Sequence, residues 1–138
     1  MPTNPYQAAA AAYQDHKITT ASPTRLVVLI FERLVLDLER ALAALESHEH
    51  PHNHLIHAQE LLTALLDALD TTAWEHAPQL ASIYAHVHRT LIEANVTKNA
   101  TLIQQSLTII TGLKDAWTQA ALTTGDLSST RVTSVVDV

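Results

Sequence analysis

The 138-residue sequence has no cysteine, so neither a disulfide framework nor a thiolate zinc site can form. It holds two glycines, and sheets and phosphate loops both depend on turns that glycine supplies. With alanine and leucine abundant, that scarcity argues for an all-α protein. No Gly-rich phosphate loop, Gly-x-Ser-x-Gly elbow or His-Glu-x-x-His zinc motif occurs. Basic residues number 8 against 14 acidic ones, and they stand singly along the chain. A net charge of −6 argues against nucleic-acid binding, which needs clustered Lys and Arg. No apolar run approaches the ~20 residues of a membrane span. The N-terminus also lacks the basic segment and apolar core of a signal peptide. A soluble, cytoplasmic chain with one folded domain is expected.

What the sequence does have is helix. Ser22 is a capping residue, and Pro23 at the first helical position loses no hydrogen bond that would have formed. The run that follows, to about Glu46, contains no further Pro or Gly and makes a rod of roughly 36 Å. Val27, Phe31, Leu34, Leu38, Ala41 and Leu45 recur every three or four residues, which is the seam of a packed helix. Ile30, Val35 and Leu42 widen it. Glu32, Arg33, Asp37, Glu39 and Arg40 are placed on the opposite face. Leu29 and Leu36 sit within that charged face, seven residues apart, and point to a second, outward surface.

Three more helices follow. A turn over 47–53 leads to a helix over 53–70 with the stripe Leu55, Ala58, Leu62, Leu65, Leu66 and Leu69. Trp74 is expected to close one end of the bundle. The third helix starts at Pro78, carries Leu80, Tyr84, Val87, Leu91 and Ala94 inward, and is expected to end at Asn95. Ile92 lies off its stripe. The fourth runs over 100–122 with Ile103, Ser106, Ile110, Leu113, Trp117 and Ala120 inward. Gly112 within it is expected to mark close approach of a neighbouring helix. Short connections make this an antiparallel up-down four-helix bundle over residues 21–122. Residues 1–20 form a partly mobile N-terminal segment, with Tyr6 and Tyr13 placed to anchor a docked face. Residues 123–138 read as a disordered, flexible C-terminal tail.

Chemistry is hard to find. His48, His50, His52, His54 and His57 fall within ten residues, and imidazoles are good metal ligands. Ligands from a second element are not evident, so no metal site is assigned. A histidine-rich metal-binding bundle using His48, His50 and His52 remains the alternative, and a purely structural homo-oligomer a third. A di-iron centre needs Glu-x-x-His on two helices, and the one match, Glu49 to His52, contains Pro51 and lies in a turn. Ser22 near Asp15 and His16 is explained by capping, and Tyr84 by burial. Neither an enzyme nor a cofactor is indicated.

Two segments do resemble a known family. Thr20-Ala21-Ser22-Pro23, then Leu26-Val27 and Leu29-Ile30-Phe31-Glu32, are similar to the helix opening of the flagellar secretion chaperones called FliS. A second match to the family is Ile83-Tyr84, then Arg89, then Leu91-Ile92-Glu93-Ala94-Asn95-Val96, ending with Lys98-Asn99 and the distant Trp117. Gln59 with Leu61-Leu62 and Leu65-Leu66-Asp67 resembles the family's middle helix. The likeness spans residues 5–120. Thr24 and Arg25 replace acidic residues of the family, and Arg33-Leu34 replaces a small Gly-Ala pair, which bears on groove shape.

The resemblance implies a cytoplasmic chaperone that binds the C-terminal region of flagellin and keeps it helical and unpolymerised. It also implies delivery to a component of the flagellar export gate, without nucleotide. An amphipathic client needs an apolar groove that accepts helices. Leu29 and Leu36 are the first candidates for contact, Ile56 and Ile92 the second. Tyr6 and Tyr13 are assigned to cover the client groove in the free protein. Burial of the leucines in a homodimer or against the N-terminal segment is the competing expectation.

Overall fold

The computed structural model describes residues 23–124. They form four helices, α1 (Pro23–Glu46), α2 (His52–Ala68), α3 (Ala77–Thr97) and α4 (Ala100–Thr124), with no strand among the described residues. Helix α1 packs on α2 and α4, and α3 packs on the same two, so α1 and α3 stand at diagonal corners. Connections over 47–51, 69–76 and 98–99 reverse the chain each time, giving the expected up-down bundle. The N-terminal docking segment with Tyr6 and Tyr13, the Ser22 cap and residues 125–138 of the expected tail lie outside the described residues, while Thr123 and Thr124 continue α4.

The inner stripes meet in one core. Val27, Phe31, Leu34 and Leu38 of α1 are fully buried with Leu55, Leu62, Tyr84, Leu91, Ile103 and Ile110. On α4, Ala121 is buried and Ala120 exposed, one position from the expected stripe. The Phe31 ring lies 6.4 Å from Tyr84 and 6.3 Å from Trp117, and Trp74 meets Trp117 edge-on at 6.3 Å. Trp74 thus closes one pole of the bundle, as its position before Pro78 led one to expect.

Helix ends show how the chain manages with so little glycine. After α1, His48 takes the left-handed conformation at φ 58°. The Glu49 N–H then donates to the Ala44 carbonyl and the His48 N–H to the Leu45 carbonyl, a Schellman cap built on a histidine. Helix α3 ends the same way, on Lys98 at φ 54°, with the Asn99 N–H donating to the Ala94 carbonyl. The end expected at Asn95 is therefore displaced. The Asn95 side chain instead donates to His52 Nδ1 at 2.8 Å and accepts from Lys98 Nζ at 2.9 Å. Asn99 caps α4, its side-chain oxygen accepting from the N–H groups of Thr101 and Leu102.

Two further expectations are corrected. Asp37, placed on the charged face by its neighbours, is fully buried. Gly112 does not mark a close helix contact, because a Cβ built there meets nothing within 4 Å.

Candidate partner-binding surface

Asp37 belongs to a row that the charged residues around it conceal. Ile30, Leu34, Asp37, Ala41 and Ala44 follow one another at spacings of four, three, four and three, and all are buried. This row faces α2. A buried carboxylate needs donors, and Asp37 has two. Arg33 Nε, one turn earlier, donates at 3.2 Å, and His57 Nδ1 of α2 donates at 2.5 Å. Asp37 is 1% exposed, whereas Arg33 and His57 are about half exposed, so the charge is sealed at the α1–α2 seam beneath partners that reach solvent.

Outside that seam, Leu29 is 39% exposed and Leu36 is half-buried one heptad later. Both lie on the outward side of α1. Ile92 on α3 is 42% exposed, and Val96 one turn on is 78% exposed. Ile56 on α2 is half-buried.

Two polar bonds set how α2 and α3 align. His52 meets Asn95, and Thr63 Oγ1 lies 3.3 Å from His88 Nε2. Counting inward from the first pair, four residues along α2 reach Ile56, and three back along α3 reach Ile92. These two isoleucines therefore flank the same outer α2–α3 seam, with Val96 beside them. Leu29 and Leu36 lie apart from them on α1, diagonal to α3. The four described candidates thus divide between two surfaces. Tyr6 and Tyr13 fall outside the described residues.

Val96 enters the sequence reading only through the family resemblance and not as a contact candidate, although it stands four residues after Ile92 on the same face of the helix. The histidines separate. His48 caps α1, His50 is exposed, His52 Nδ1 is engaged by Asn95, and His57 serves Asp37. Among the described residues no three His, Asp or Glu side chains come together to hold a metal ion. Nor is any described helix long and apolar enough to cross a membrane.

The fold is an all-α four-helix bundle with one buried core and apolar side chains left on its outer surfaces. The family described as "Flagellar protein FliS" matches residues 5–124, and this chain belongs to that family. It is also similar to the flagellar secretion chaperone FliS of Bacillus subtilis (strain 168). The two are 27% identical over 119 residues, covering 85% of this chain and 86% of the relative.

Proposed function

We propose that this chain is a cytoplasmic export chaperone for flagellin, binding the client's C-terminal helical region. On this reading it prevents premature polymerisation and assists delivery to the flagellar type III export apparatus. Membership of the FliS family across residues 5–124 is the observation that carries the reading. The outward apolar side chains support it. Leu29, Leu36, Ile56 and Ile92 stand outside the buried core cluster and outside the apolar residues packed against it. Burying the exposed two-fifths of Leu29 or Ile92 against a partner is worth roughly 0.6–1.2 kcal/mol each, so several such contacts together offset part of the ordering of a disordered client.

Calorimetric titration with a peptide spanning the C-terminal helical region of flagellin tests the proposal. Saturable binding at micromolar concentration or below is expected, together with a gain of helicity in the peptide. Absence of binding in that range rejects it.

A further inference from the structure

The outward side of α1 is polarised across its width. Leu29, Leu36 and Ala43 follow at intervals of seven, which places them within about 20° per step along one line of the helix. Glu32, Glu39 and Glu46 stand three residues after each of them, and Arg33 and Arg40 stand four after the first two. On a helix those two offsets fall on opposite sides of the line. One flank is therefore acidic from Glu32 to Glu46, and the other basic from Arg33 to Arg40. Arg25 lies one turn before this stretch.

The neighbouring helices identify the flanks. The basic side faces α2, because Arg33 donates to Asp37, which in turn holds His57 of α2. The acidic side faces α4. There a groove of about 470 Å³ opens between the two helices, with Leu42 and Leu45 among its walls and Glu39, Ala43, Glu46 and Gln104 around it. Glu32, Glu39, Arg40 and Glu46 form no ion pair among the described residues. Their charges are left for something else. An apolar line edged by unlike charges is the layout by which packed helices choose partner and orientation.

We infer that α1 presents a charge-polarised track that takes one amphipathic helix of the client and fixes which way round it lies. This rests on the flagellin reading above and adds the chemistry of the bound segment. That helix carries Lys or Arg on the flank toward α4, where an aliphatic stem can lie along Leu42 and Leu45 with its charge between Glu39 and Glu46. Its opposite flank is acidic and meets Arg33 and Arg40. A second copy of this α1 is the poorer occupant. Two antiparallel copies would set like charges against each other.

The test exchanges the flanks at one turn. The variant Glu39→Arg/Arg40→Glu keeps composition and net charge, and both positions are exposed. Affinity for the flagellin C-terminal peptide is measured at low salt and at about 0.5 M NaCl, where exposed charges are screened. Expected are unchanged helicity and melting, a roughly tenfold loss of affinity at low salt, and closure of that gap at high salt. Leu36→Asp, measured alongside, should lose binding at both. Wild-type affinity in the exchange variant, with Leu36→Asp still inactive, overturns the polarity and leaves the flagellin reading intact. Binding that survives Leu36→Asp overturns the track by placing the client elsewhere. No binding by the unaltered chain rejects the flagellin reading itself, and the track with it.

Discussion

Gly112 and His48 each occupy a position suited to the other. Gly112 sits in the interior of a helix with open space where a Cβ would be, and His48 holds a left-handed cap at φ 58°. Glycine costs about 1 kcal/mol against alanine in a helix interior, and a side chain costs about the same in the left-handed region. The double variant Gly112→Ala/His48→Gly should therefore be more stable by about 2 kcal/mol in urea denaturation. Asp37 teaches a different lesson. Its neighbours Glu32, Arg33, Glu39 and Arg40 made it look like surface, yet it lies seven residues after Ile30 on the row facing α2. Buried carboxylates depend on every donor they have. His57→Ala leaves this one with Arg33 alone and should cost about 1–3 kcal/mol. A stability change under 0.5 kcal/mol, about the size of an ordinary surface substitution, would show that the carboxylate is not relying on His57.

At the level of elements, apolar spacing located all four helices, and departures gather at their ends. Helix α2 was expected to reach Asp70, because Leu66 and Leu69 continue its stripe. It stops at Ala68, with Leu69 extended, though Leu69 still packs on the core. The cause is local. Asp70 folds back on Thr72, accepting from its hydroxyl at 2.6 Å and its backbone N–H at 2.9 Å. A side chain that captures nearby backbone competes with the helix for that segment. Those bonds, the Thr72 hydroxyl foremost, hold the Asp70 carboxyl below its ordinary value of 3.8. A carboxyl depressed in the folded chain adds stability above its unfolded value and loses it as pH falls through the folded one. Thr72→Val should raise the Asp70 pKa toward the ordinary value while leaving one backbone bond. NMR titration of the carboxyl carbon reads this directly, and an unmoved midpoint would mean that the hydroxyl contributes nothing.

For the whole molecule, the bundle was legible because strict three-and-four spacing in four segments admits little else. The surface was legible only in part. Leu29 and Ile92 could be picked out as apolar residues that the stripes leave over. Their division between two surfaces could not, since it depends on which helices are neighbours and on the register set by His52–Asn95 and Thr63–His88. If both surfaces serve the client, Leu36→Asp and Ile92→Asp should each weaken flagellin binding at least fivefold while leaving helicity and melting nearly unchanged. Unfolding of either variant would instead assign that residue to the core. The aromatic pole has an optical consequence. The chain's 2 tryptophans, Trp74 and Trp117, meet edge-on at that one end. Indole emission therefore watches a single pole. Fraying around His48, Pro51 and Lys98, at the far end, is dark to it. A melt followed by fluorescence will miss loosening there that amide exchange registers.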